Sequence, residues 1–253
     1  MELELWQGAV LIVVGIVGGF LNVMAGGGSL ITVPVMVFMG LPGPVANGTN
    51  RIAILAQNLT AIFTFARRGF SDYRLSLTLA ACAIPGALAG ALVGTQLEGV
   101  WFNRALALIM VAVMLVMYFD KGATEQSQDH QPTRRQLFNG HLLMVGAGFW
   151  GGFIQLGVGF ILMPILNRVM GLDLVRTNMH KVFIIGSYTA VALVVFASQV
   201  EMLWLVGAIM AVGNSLGGWI ATNLQIEKGQ DLIRKILNVV LIVFIIKQLN
   251  HAH

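Results

Sequence analysis

Gly26, Gly27 and Gly28 stand in a row between two apolar runs, followed at once by Ser29 and further on by Thr49, Asn50 and Arg51. Each glycine weakens a helix by about 1 kcal/mol, so three together read as a break in a helix rather than as part of one. Close helix packing, the other common use of glycine in membranes, accounts for single glycines better than for a run of three. N–H groups freed at the start of the helix after such a break are aimed at one point and suit an anion. Gly157-Val158-Gly159 forms a weaker break in the second half of the chain, with Gln155 an interior polar residue near it. Asn47, Thr49 and Asn50 open the next apolar run, where they read as N-cap residues. Thr177 and Asn178, followed by His180 and Lys181, repeat that pattern. Asn50, Gln57, Thr60 and Thr64 fall at spacings of 7, 3 and 4 and therefore share one helix face. Asn58 lies about 100° away and is placed to bond another helix. Asn22 is a further interior polar residue near the first break.

The chemistry these residues can do is reception of a small anion. The candidate binding groups are Gly26, Gly27, Gly28, Ser29, Thr49, Asn50, Arg51 and Gln57, with Gln155, Gly157, Gly159, Thr177, Asn178, His180 and Lys181. Glu98, Asp120, Asp173 and Glu201 all fall near the ends of apolar runs, and none stands in the middle of one. Proton-coupled carriers rely on a buried carboxylate relay, so the membrane potential becomes the expected driver, with His180 the alternative proton carrier. Ser29 has neither a GxSxG context nor His and Asp partners, which leaves no catalytic group and no enzyme. The 13 methionines are irregularly spaced and no Cys/His cluster joins them, so neither a metal nor a cofactor is expected.

Membrane helices must position these groups. The 253 residues are 57% hydrophobic and only 10% charged, against about 25% charged in a soluble domain. A water-soluble enzyme, a disordered protein and a nucleic-acid binder are excluded on that ground. The pI of 9.6 reflects short basic clusters between apolar runs, which fix orientation in a bilayer. Glu2 and Glu4 open the chain where a secretory signal would carry positive charge, so the first run reads as a retained helix. Cys82 is alone and reads as a packing residue.

Four runs in each half approach the roughly 20 residues of a full span: 5–24, 47–66, 75–97 and 101–119, then 138–155, 179–197, 202–224 and 232–249. Two shorter runs, 29–40 and 159–171, cover only about 20 Å and cannot cross alone. The halves are copies: GGSLITVP at 27–34 lies over GVGFILMP at 157–164, Thr49-Asn50 over Thr177-Asn178, and PGALAG at 85–90 over GNSLGG at 213–218. With the N-terminus outside, Arg67, Arg68, Arg74, Lys121, Arg134, Arg135, Arg168, Arg176, Lys181, Lys228, Arg234 and Lys235 fall inside, and only Arg51, Arg104 and Lys247 outside. That bias orients the second copy upside down relative to the first and puts both termini on the periplasmic side. The parity also holds where each short run and the helix before it dip in and return together. The expected fold is an all-α polytopic membrane protein with two inverted-topology repeats of about five hydrophobic segments each, broken after the Gly-rich turns. The repeats are 1–119 and 138–253, joined by a cytoplasmic linker at 120–137. Gly86, Gly90 and Gly94, echoed by Gly213 and Gly217, form a small-residue face for helix packing or for a homodimer.

The stretch GFLNVMAGGGSLITVPVMVFMGLPGPVANGTNRIAILAQN resembles the signature region of the sulfite exporter TauE/SafE family of bacterial membrane proteins. The features that carry the likeness are the turn at 25–28, Pro34, Gly40 and Thr49-Asn50-Arg51. The region 148–181 is similar to that family's degenerate C-terminal repeat, with Met179 at the position of Arg51 and Val158 at that of Gly28. The resemblance implies transport of small sulfur-containing anions, such as sulfite or sulfonates, across the bacterial inner membrane. The partners expected are a small anionic solute and the lipid bilayer, with no nucleic acid. A non-transporting membrane scaffold and an anion channel are the alternatives.

Overall fold

The computed structural model describes residues 5–97, 101–102, 104, 108, 111 and 131–251, with side chains past Gly229 described only at Ile233 and Lys235. The run 101–119 and the linker 120–137 lie mostly outside these residues. Among the described residues the fold is all helical. The first half contributes α1 (Leu5–Met24), α2 (Ser29–Phe38), α3 (Gly43–Arg67) and α4 (Tyr73–Thr95). The second contributes α5 (Arg134–Phe153), α6 (Val158–Pro164, continued by a π turn at Ile165–Val169), α7 (Leu174–Gln199) and α8 (Trp204–His251). Gly229, at φ 69°, interrupts α8 between the two apolar runs that the sequence separates.

Four of the described helices are long and apolar enough to cross a membrane: α1, α4, α7 and the Trp204–Gly229 part of α8. The 25 residues of α3 also have the length, but Asn47, Asn50, Arg51, Gln57 and Asn58 break its apolar character. All five are buried, whereas Val13, Phe63, Leu77, Leu142, Val194 and Val212 are exposed. Polar groups turned inward and apolar groups turned outward are what a lipid solvent demands.

Two helix starts differ from their sequence reading. α3 begins at Gly43, after Pro42 and with Pro44 in its first turn, so Asn47, Thr49 and Asn50 lie inside the helix and do not cap it. The fixed φ of proline suits a first helical turn, and it competes successfully with the amide side chains as a start signal. α7 begins at Leu174, and the Asp173 side chain accepts from the N–H groups of Val175 and Arg176 at 2.9 and 3.1 Å. Thr177 and Asn178 are thereby also placed within a helix and left free to reach other elements.

The short helices fold back. Gly28, just before α2, and Thr32 of α2 pack on Gly18 of α1, and Met170, after α6, packs on Gly140 near the start of α5. Each half thus opens with a helical hairpin. α1 lies along α8 and α4 lies along α5, the two most extensive packings in the structure. Both pairs are parallel: Gly213 and Gly217 meet Ile12 and Ile16, while Gly86, Gly90 and Gly94 meet the carbonyls of Val145, Phe149 and Phe153. The small-residue face read from the sequence is therefore occupied within one chain. Gly90→Ala, whose new methyl group overlaps the Phe149 carbonyl, is expected to cost about 1–3 kcal/mol. Gly146→Ala meets nothing within 4 Å and should be neutral or up to about 1 kcal/mol stabilising; thermal unfolding in detergent compares the two.

The ends of the bundle are fixed by cross-links between elements. Arg68 at the close of α3 donates to Asn223 Oδ1 at 2.8 Å and pairs with Glu227 at 3.4 Å. His141 of α5 meets Thr78 of α4 at 3.0 Å. Arg67, Arg68, Arg74, Arg134, Arg135 and Lys228 accordingly gather at one end. Thr95 donates to Gln199 at 2.7 Å at the other.

Candidate functional site

Both hairpin tips turn through a left-handed residue. Gly26 has φ 81°, and the N–H groups of Ala25 and Gly26 both donate to the Leu21 carbonyl, at 2.7 and 3.0 Å. In the second tip the turn falls on Gln155 at φ 66°, the only described non-glycine residue with positive φ. That conformation costs about 1–2 kcal/mol for a residue with a Cβ. It is held by the side chain, whose Oε1 accepts from Arg51 Nη1 at 3.2 Å and whose Nε2 donates to Thr189 Oγ1 at 3.3 Å. Gly157, at φ 67°, then leads into α6. The breaks expected at the two Gly-rich turns are thus present, and they touch. A Cβ on Gly26 would overlap the backbone of Gly159, one on Gly159 would overlap Gly26, and the Phe160 ring lies against Gly27.

Each tip is tied down by the opposite half. Arg51 of α3 is fully buried; its Nη1 donates to the Gly151 carbonyl at 3.1 Å and its Nη2 to the Gly152 carbonyl. Asn47 Nδ2 takes the next carbonyl, Phe153, at 3.1 Å. The last turn of α5 is therefore capped from α3, and the guanidinium also lies over the Phe196 ring, 4.3 Å from its centroid. Lys181 of α7 is likewise fully buried and donates to the Val23 carbonyl in the last turn of α1 at 2.8 Å. Cations belong at helix C-termini, where unpaired carbonyls gather negative charge. Among the described residues neither cation meets a carboxylate, and the ion pair of Arg68 with Glu227 lies away from both, at the basic end of the bundle.

Amide side chains link the same elements. Asn50 Oδ1 accepts from Thr32 Oγ1 at 2.8 Å, and its Nδ2 lies 3.4 Å from Ser29 Oγ, which ties the start of α2 to α3. Asn22 donates to Gln57 at 3.2 Å beside the Val23 carbonyl that Lys181 holds. Asn178 donates to Gln225 at 2.7 Å, one helical turn before Lys181. Several buried polar atoms keep no partner among the described residues: Arg51 Nε, Gln57 Nε2, Asn178 Oδ1, Gln225 Nε2 and the Tyr188 hydroxyl.

Of the residues singled out in the sequence, Gly26, Gly27, Ser29, Asn50, Arg51, Gln155 and Gly159 come together at the tips, with Gln57, Asn178 and Lys181 around the close of α1. Gly28 serves the hairpin, packed on Gly18 and Asn22. Three others go elsewhere. Thr49 accepts from the Leu203 N–H at 3.1 Å, ahead of α8. Thr177 donates to the Leu172 carbonyl at 3.3 Å. His180 is bonded to Ser76 of α4 at 2.8 Å. Asn58 does not bond another helix, because its Nδ2 donates to the Ile54 carbonyl of its own, at 2.8 Å. Tyr188, Thr189 and Gln225 are additions that local pattern did not single out, and Asn47, read as a cap, joins the site through the Phe153 carbonyl. Lys181 stands two positions beyond the copy of Arg51 and supplies the cation that Met179 lacks.

The sequence profile of the sulfite exporter TauE/SafE family matches residues 11–248. A probable membrane transporter protein, ORF9, of Sinorhizobium sp is 30% identical over 242 residues, covering 95% of this chain and 92% of that protein. A probable membrane transporter protein of Haemophilus influenzae is 27% identical over 226 residues, covering 89% of this chain and 88% of its own. The probable membrane transporter protein YfcA of Escherichia coli K12 is 27% identical over 249 residues, covering 96% and 90%. No solved structure matches the chain.

Proposed function

Since the chain belongs to the sulfite exporter TauE/SafE family, a family of membrane transporters, we propose that it moves small sulfur-containing oxyanions, sulfite or sulfonate-like, across the bacterial inner membrane by alternating access. One observation carries the choice of an anion: Arg51 and Lys181 are buried without a carboxylate among the described residues. Their partners are carbonyls at the closes of α1 and α5, which supply partial negative charge and no full counter-charge. Two basic side chains remain without a carboxylate, and an anion brought beside them stabilises their charged forms. Gly26, Gly27, Gly28, Gly157 and Gly159 shape the two tips, while Ser29, Asn50, Gln57, Gln155 and Asn178 supply hydrogen bonds. In this reading Thr49, Thr177 and His180 support the frame.

The halves are read as inverted repeats. Support comes from the reciprocal packing of α1 on α8 and α5 on α4, the two hairpins, and the exchange of caps between Arg51 and Lys181. The close of α3 and the start of α7, its copy, also share the basic end of the bundle. With that end cytoplasmic, both termini lie in the periplasm. An arriving anion competes with the Gly151, Gly152 and Val23 carbonyls for the two cations. It loosens the tips it replaces, and the hairpins then part towards one side or the other.

The test is flux from vesicles against sulfite, sulfonates, sulfate and carboxylates, with voltage and pH imposed separately. One negative charge per 100 mV corresponds to about 2.3 kcal/mol, roughly a fiftyfold accumulation ratio. Anion flux that follows voltage supports the reading, and the same anion should raise thermal stability with the logarithm of its concentration. Flux that ignores voltage and follows pH removes voltage as the driver. No response to any anion, in flux or in stability, favours a scaffold.

A further inference from the structure

We infer that the Tyr188 hydroxyl is a second donor to the transported oxyanion, beside the Arg51 guanidinium, at the second hairpin; the inference rests on the anion reading above. Tyr188 is fully buried in α7, and its hydroxyl faces the Gln155 side chain without meeting the geometry of a hydrogen bond to it or to any other described residue. Buried tyrosine hydroxyls are normally paired, and leaving one unpaired is unfavourable. Arg51 Nε, also buried, is the second open donor here. The two groups share a wall. Arg51 Nη1 donates to the Gly151 carbonyl at 3.1 Å, and the Tyr188 ring and hydroxyl fill the space that a Cβ on Gly151 would take. Gln155 joins them, bonded to Arg51 on one side and on the other to Thr189, next to Tyr188 in the chain.

The arrangement has a chemical consequence. One charged N–H and one neutral O–H, on neighbouring groups from different helices, suit a ligand with two or more separate oxygen acceptors. The hydroxyl hydrogen rotates to meet its acceptor, whereas the guanidinium fork is rigid. A monatomic halide gains from both donors only where they converge on one point, whereas an oxyanion can meet donors that are set apart. Tyr188 would therefore favour oxyanions over chloride, with Arg51 supplying charge to both.

Tyr188→Phe deletes the hydroxyl and keeps the ring on Gly151. The full-length protein and Tyr188→Phe, purified in detergent, are titrated with sulfite and separately with chloride while thermal unfolding is followed. The expected result is a variant at least as stable as wild type without ligand, needing about tenfold more sulfite for the same gain, with its chloride response unchanged. A variant that follows the wild-type sulfite curve overturns the role of Tyr188 and leaves the anion reading standing. A variant less stable without ligand also overturns it, because the hydroxyl would then be serving the fold. A wild-type protein that responds to neither sulfite nor any other anion in the panel overturns both.

Discussion

Arg51→Met should lower unfolding stability by about 2–4 kcal/mol and abolish the stabilisation that an anion provides. The substitution keeps most of the side-chain volume and removes the donors. Gly151, Gly152 and the Gln155 Oε1 then lose their partner at the second tip, and each orphaned buried acceptor costs about 1–3 kcal/mol. Removal of a buried charge works in the opposite direction by relieving desolvation, which holds the net figure below the sum. Gln155 should respond most, since its left-handed backbone is held by that contact. Arg51→Lys separates the two roles: an ammonium keeps the charge and loses the fork, so it should recover part of the anion response and little of the stability. Denaturant unfolding and vesicle flux measure the two effects, and an Arg51→Met protein as stable as wild type would show that the cross-cap contributes nothing.

Contact between the tips predicts a graded series of glycine substitutions. Gly69→Ala meets open space at φ 82° and should lose only the backbone term, about 1–2 kcal/mol. Gly159→Ala has no positive φ and overlaps Gly26, so it should lose only the packing term, about 1–3 kcal/mol. Gly26→Ala combines φ 81° with overlap on Gly159 and should lose both, about 2–5 kcal/mol. Transport should fall in the second and third variants and survive in the first. Thermal unfolding and flux on all three decide the matter; equal losses in Gly69→Ala and Gly26→Ala would mean that the tips do not bear on one another.

The fold class and the breaks were legible because they are local. A run of apolar residues declares a membrane helix through its length alone, and three adjacent glycines declare an interruption wherever they occur. The basic clusters at Arg67–Arg68 and Arg134–Arg135 likewise marked one end of the bundle from composition. Helix starts were less legible. Proline and aspartate displaced Asn47 and Thr177 from the cap positions that their residue types suited, since several residues competed for each start and only the most favourable could win.

The pairing of the halves was beyond local pattern. Arg51 and Gly151 are 100 residues apart, and Lys181 and Val23 are 158 apart. No periodicity links such residues, because each contact depends on how two hairpins and two long helices dock. By itself the sequence determined an all-helical membrane protein with broken helices and no carboxylate in the middle of an apolar run. Only the tertiary structure decided that each cation caps the other half's broken helix and that the tips meet. A buried charge must find a partner somewhere in the fold, but which carbonyl it finds is set by three-dimensional proximity.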